Sequence, residues 1–154
     1  MKDNTKNHNQ GKKNENDTWP FLEKNGYIRP SKDQRKEIKE FYSNQGKTLK
    51  GIGFDVISLD EVCLIGKKEI TLYEVKTAGE KRGIFIGEGF NKFGFTLSIN
   101  EKNNADILKN KYKFIFVNLY RKKFKIYKLS DFFKNNINAK TYQTWSIFIK
   151  KDLK

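Results

Sequence analysis

Residues 69–77 read Glu-Ile-Thr-Leu-Tyr-Glu-Val-Lys-Thr. Alternating β-branched, aliphatic and aromatic residues predict a strand. Side chains of a strand alternate between faces, so Ile70, Leu72, Glu74 and Lys76 share one face and Thr71, Tyr73 and Val75 the other. The first face is apolar until it ends in a carboxylate and an ammonium. Such groups on a strand of a buried surface are expensive unless they are paired or bound to a metal. This one stretch predicts both a sheet and a polar site built on it.

Upstream, Gly51–Ser58 (GIGFDVIS) and Glu61–Ile65 (EVCLI) read as two more strands, joined by a tight Leu59–Asp60 connection, and Gly66-Lys67-Lys68 turns into the third. Before them, Ser31 and Gln34 have capping-box spacing and predict a helix from Lys32 to Ser43. Ile38, Phe41 and Tyr42 give it one apolar face, and Gly46 ends it. Downstream, residues 78–94 hold five glycines together with Lys81, Arg82 and Lys92, and read as a loop or short hairpin. Phe95–Leu97 leads into a second capping box, Ser98 with Glu101, and a helix to about Asn110. Tyr112–Leu119 and Phe124–Leu129 read as strands around the basic hairpin Arg121-Lys122-Lys123. Ser130–Asn135 reads as a short helix and Thr144–Ile149 as a last strand. The predicted order is α-β-β-β-α-β-β-α-β, an α/β (α+β) fold with one mixed sheet flanked by helices. Residues 1–17 hold no apolar residue after Met1 and are expected to form a disordered polar arm, leaving 18–154 as a single domain.

The chain has 154 residues and a net charge of +14, from 32 basic and 18 acidic side chains. The excess is concentrated: residues 109–154 carry 13 Lys/Arg against Asp131 and Asp152 only. Localised positive charge predicts a polyanionic partner, because counterion release from phosphates drives association. No run is long and apolar enough to span a membrane, and the N-terminus lacks a secretory apolar core. A cytoplasmic protein without membrane contact is expected. Cys63 and His8 are the only residues of their kinds, which excludes a disulfide framework, a multi-cysteine metal site and most histidine catalysis. Gly46-Lys47-Thr48 resembles the end of a P-loop, but the glycine required five residues earlier is Phe41.

Carboxylates and lysines remain for chemistry. If the strand of Asp55 lies beside that of Glu74, two carboxylates and the Lys76 ammonium converge. Two carboxylates, the carbonyl of Val75 and waters suit Mg²⁺, with Mn²⁺ a natural substitute. Lys76 would position and help deprotonate the attacking water or stabilise developing charge at phosphorus. The bland reading is a turn-proximal Asp55 and a Glu74–Lys76 ion pair on an exposed edge, with Ser98 and Glu101 serving as helix caps alone.

Asp55 followed by Glu74-Val75-Lys76 resembles the PD-(D/E)XK nuclease superfamily, and within it the C-terminal domain family of the plant protein NO VEIN. The matching blocks are Gly53-Phe54-Asp55, Tyr73-Glu74-Val75-Lys76, Phe95-Thr96-Leu97-Ser98-Ile99-Asn100-Glu101 with Ala105, and Tyr112–Val117, within about residues 31–130. The resemblance implies a restriction-endonuclease-like fold and a metal-dependent DNA endonuclease leaving 5′-phosphates, as a restriction or defence enzyme. It implies Asp55 and Glu74 as metal ligands and Lys76 as the catalytic lysine. It also implies an acid on the first helix, for which Glu37 is the candidate and Gln34 the substitute. Two sites are needed to cut a duplex, so a homodimer is expected if duplex DNA is the substrate. Lys81, Arg82, Asn100, Arg121, Lys122 and Lys123 are the candidate nucleic-acid contacts, with Tyr120 placed to stack on a base. The alternatives are a non-catalytic binding module and a partner-dependent subunit of the same fold.

Overall fold

The computed structural model describes residues 16–51, 54–58, 70–78, 92–133, 138–142 and 146–152. Residues 16–23 form helix α1. There follow β1 (Tyr27–Ile28), α2 (Lys32–Ser43), β2 (Val56–Ser58), β3 (Leu72–Ala78), β4 (Lys92–Ser98) and α3 (Ile99–Leu108). A 3₁₀ turn at Lys109–Lys111 leads to β5 (Tyr112–Asn118), β6 (Lys123–Lys128), α4 (Leu129–Phe133), β7 (Asn138–Tyr142) and β8 (Ser146–Asp152). The fold is α+β. A mixed five-stranded sheet runs β1-β2-β3-β5-β6, and a second, three-stranded sheet runs β4-β8-β7.

The one mixed sheet expected from sequence is therefore two. Phe93, Phe95 and Leu97 do alternate, but their glycine-rich surroundings read as the end of a loop. Here they form β4, paired with β8 from Lys92↔Asp152 to Ser98↔Ser146. β7 (NAKTY) carries little β propensity of its own and is recruited by backbone pairing to β8. Helix α1 was not expected from the sequence; it includes Pro20, which has no N–H to donate within the helix. Asn16 and Asp17 accordingly belong to α1 and not to the arm; the rest of the expected arm lies outside the described residues. So do the expected strand Glu61–Ile65, the turn at Gly66–Lys68 and most of the loop 78–94. Of the strand expected over 51–58, Val56–Ser58 is regular, and 52 and 53 lie outside the described residues.

α2 spans the predicted residues. Ser31 Oγ accepts from the Gln34 N–H at 3.2 Å and Gln34 Oε1 accepts from the Ser31 N–H at 2.8 Å. Gly46, at φ +74°, closes the turn beyond it. α3 begins with the second predicted box, Ser98 with Glu101.

β3 is the central strand. It pairs antiparallel with β2 at Val56↔Tyr73 and parallel with β5 from Leu72↔Tyr112 to Ala78↔Asn118. The pleat sorts the core into two faces. Leu72, Phe114 and Phe116 pack with Ile38 and Tyr42 of α2 and Leu97, Ala105 and Leu108 near and on α3. Tyr73, Ile115 and Val117 pack with Val56 and with Leu22 of α1, and Val75 joins them. Glu74 and Lys76 thus stand on the α2/α3 face, as their alternation with Leu72 requires.

Asn104, fully buried on α3, fastens the approach to β2. Its Oδ1 accepts from the Lys50 N–H at 2.8 Å and its Nδ2 donates to the Lys50 carbonyl at 3.0 Å. Replacing Asn104 by Ala strands both Lys50 backbone groups and opens a void. Asn104→Ala is expected to lower the unfolding free energy by about 2 kcal/mol, read from the urea midpoint at unchanged slope.

Candidate active site at the end of β2 and the middle of β3

Asp55 precedes the regular part of β2, and its N–H still donates to the Tyr73 carbonyl at 2.8 Å. One step along β3, the N–H of Val75 is met by the Asp55 side chain, whose Oδ2 accepts at 2.8 Å. The carboxylate therefore replaces a strand carbonyl at the point where β2 ends. Within a strand, the N–H and C=O of one residue point to the same side. The Val75 carbonyl hence lies on the Asp55 edge of β3, beside Glu74, as a metal-ligand role would need.

Lys76 Nζ donates to Glu74 Oε1 and to Glu101 Oε2, each at 2.9 Å. The three side chains are only 13–18% exposed, so this is a partly desolvated triad and not a surface ion pair. Glu101 has two tasks: the same Oε2 accepts from the Ser98 N–H at 3.3 Å as half of the capping box. α3 is thereby positioned by the site, and the site by α3.

The residue that α2 sends to this cluster is Arg35. Its Nη1 donates to the Phe54 carbonyl, its Nη2 to the Asp55 carbonyl at 3.2 Å, and its Nε to the Pro30 carbonyl at 3.3 Å. The guanidinium also lies over the Phe54 ring, 5.0 Å from its centroid. Arg35 clamps the backbone on which Asp55 is mounted. Glu37 is exposed on α2, turned away from the face that carries Arg35, Ile38 and Tyr42, so the expected helix acid is corrected to a helix base. Gln34 is engaged in capping Ser31.

The electrostatics follow from burial. Desolvation pushes Glu74 up to about 8, with Asp55 and Glu101 adding to the rise and Lys76 opposing it. Asp55 is also raised by burial, against the Val75 N–H, Lys76 and Arg35. Burial pulls Lys76 down, but Glu74 and Glu101 outweigh it and hold the ammonium above its ordinary range. Tyr112, fully buried, has its phenol raised by burial and then by Glu74, Glu101 and Asp55, which keeps it neutral at the floor of the site. Three carboxylates thus share two cations, Lys76 and Arg35. Among the described residues, no group of three or more His, Cys, Asp or Glu side chains is arranged to hold a metal ion. Mg²⁺ asks for less: one or two carboxylates, with waters and substrate oxygens completing the octahedron. Asp55, Glu74 and the Val75 carbonyl fit that donor set, and the excess negative charge fits its sign.

The other candidates are spread out. Arg121, Lys122 and Lys123 lie exposed at the β5–β6 hairpin. The Arg121 N–H donates to Asn118 Oδ1 at 3.0 Å, and its guanidinium lies 5.5 Å from the ring centroid of Tyr120, which is itself exposed. The hairpin turn starts at Leu119, five residues beyond Phe114, which pairs with Glu74. At about 3.3 Å per residue it is some 16 Å from the carboxylates along the sheet. Asn100 is exposed in the first turn of α3, its amide against Gly51, where an added Cβ would come within 2.7 Å of Nδ2. Lys81 and Arg82 lie outside the described residues.

Sequence reasoning missed Arg35, Glu101 and Tyr112. Arg35 had a signal: three residues before Ile38 and seven before Tyr42, it is a charge on the apolar face of a helix. Glu101 had none beyond its cap, because a capping glutamate needs no other partner. No protein-family model, no curated protein and no solved structure matches the chain.

A carboxyl whose folded pKa lies above its unfolded value takes up a proton on folding. Stability from this group is therefore full below about 4.5 and is lost as pH rises toward about 8. Glu74→Gln keeps an acceptor for Lys76 and removes that liability. It is expected to unfold at higher temperature than the wild type at pH 8, by about 1 kcal/mol or more, with the gain vanishing near pH 5 in a calorimetric series.

Proposed function

We propose that the chain is a Mg²⁺-dependent nuclease, a cytoplasmic phosphodiester hydrolase of the PD-(D/E)XK kind acting on DNA. The observation that carries the reading is the convergence of Asp55, Glu74 and Lys76 on one partly buried spot where acids outnumber bases. Mn²⁺ is expected to substitute for Mg²⁺, and a homodimer to be the form that cuts both strands of a duplex.

Asp55, Glu74 and the Val75 carbonyl would hold the cation. Once bound, it would supply Lewis acidity to the attacking water and to the phosphodiester. Lys76 is held as an ammonium by its two carboxylates, so it has no lone pair with which to take a proton. Its part is to donate hydrogen bonds, orienting the water and stabilising the charge that builds on the phosphate oxygens. Glu74 accepts from Lys76 at 2.9 Å, and a bound cation would favour its carboxylate form. Arg35 fixes the backbone of Asp55, and Glu101 keeps Lys76 on its axis. A second reading, a binding module that does not cut, draws on the exposure of Glu37, which leaves the expected helix acid outside the cluster.

Plasmid nicking with Mg²⁺ separates the two. The wild type is expected to nick or linearise the plasmid, while Asp55→Asn and Lys76→Ala lose about 100-fold or more in rate yet retain the DNA in EDTA. Binding by all three without cutting by any would sink the enzyme reading in favour of the binding module.

A further inference from the structure

α2 carries Lys32, Arg35, Lys36 and Lys39 at spacing i, i+3, i+4, i+7, which places four cations along one side of the helix. With Arg29 they line a groove of about 670 Å³. Asp33 and Glu40 line it too. The charge-concentrated C-terminal third gave the polyanion signal in the sequence, and α2 did not, because its acids nearly balance its bases along the chain. The helix turns Glu37 away from the groove, leaving five cations against Asp33 and Glu40 along it.

Two features tie this groove to the cluster. Arg35 lines it and also grips the carbonyls of Phe54 and Asp55. Lys39 Nζ donates to the Gly51 carbonyl, fastening the same approach to Asp55 from the other end of the stripe. Lys32 and Lys36 are exposed, and the Lys36–Glu40 pair, at 3.8 Å and open to solvent, is weak enough to be exchanged for a phosphate. From Lys32 to Lys39 the stripe runs about 10 Å along the helix axis. Successive phosphates of a strand lie farther apart along its backbone than the roughly 3.4 Å axial rise, so the stripe spans about two of them.

We propose that the α2 groove is the track on which the sugar-phosphate backbone of the substrate strand lies as it leaves the Asp55–Glu74–Lys76 cluster. Lys32 and Lys36 contact its phosphates, and Arg35 and Lys39 hold the edge of the track to the site. The inference rests on the nuclease reading and names the surface that reading requires. The basic hairpin 121–123 is then a secondary contact, further from the scissile phosphate.

The test is charge reversal on each surface, matched in net charge: Lys32→Glu with Lys36→Glu, against Lys122→Glu with Lys123→Glu. Binding of a short fluorescent duplex is measured in EDTA over a salt series by anisotropy, with the thermal midpoint recorded for each variant. Reversal on α2 is expected to weaken binding at least about tenfold at moderate salt and to reduce the log–log salt slope by about 2, more than reversal on the hairpin does. An unchanged slope for the α2 variant, or an equal or larger loss for the hairpin variant, overturns the track. If that happens while the wild type still nicks plasmid with Mg²⁺, the nuclease reading survives; if the wild type neither binds nor cuts, both fall.

Discussion

An ammonium shut between two carboxylates, one on a strand and one on a helix, is the constraint around which this chain is arranged. Lys76 cannot be buried beside Leu72 and Phe116 without partners, since an unpaired charge there would be prohibitive. Glu74 is two residues away on the same face and supplies one partner through the pleat alone. The other, Glu101, is 25 residues on and must be brought by α3. The helix therefore has to start where it does, with Ser98 and Glu101 over the middle of β3. The parallel pairing of β3 with β5 follows, because α3 spans the return between them.

The same cluster explains why the surrounding polar groups are so fully engaged. Asp55 is fixed at both ends: its carboxylate by the Val75 N–H, its carbonyl by Arg35. The segment before it is fastened through Lys50 to Asn104 and through Gly51 to Lys39. Gly51 itself has φ +61°, a conformation that favours glycine, and an added Cβ would displace the exposed Asn100 amide. Each of these fixings restrains a charged group that the apolar core around Tyr42, Phe54 and Phe114 would otherwise disfavour. Burying three carboxylates against two cations costs stability, which is the physical cause of the raised Glu74.

Much of this was legible. The helix Lys32–Ser43 and both capping boxes follow from side-chain to backbone bonds that span three residues, and such local chemistry does not depend on the rest of the fold. The strands Tyr112–Leu119 and Phe124–Leu129 shifted only at their ends. The common face of Ile70, Leu72, Glu74 and Lys76 follows from the period of two. What escaped reading were elements that exist by partnership. β1 is only two residues long, β7 is weak in propensity, and β4 sits in a glycine-rich stretch; each is made by the strand beside it.

The sequence by itself determined that a carboxylate and a lysine share an apolar strand face, that Asp55 lies on a neighbouring strand-like run, and that the chain as a whole is basic. These follow from alternation and composition, which are properties of neighbours along the chain. Only the tertiary structure decided that the helix residue at the site is Arg35 and not Glu37, that a capping glutamate doubles as the partner of Lys76, and that β4, β7 and β8 form a second sheet. Those outcomes depend on which groups meet across 20 to 60 residues of chain, where burial and charge balance, not local periodicity, select the partner.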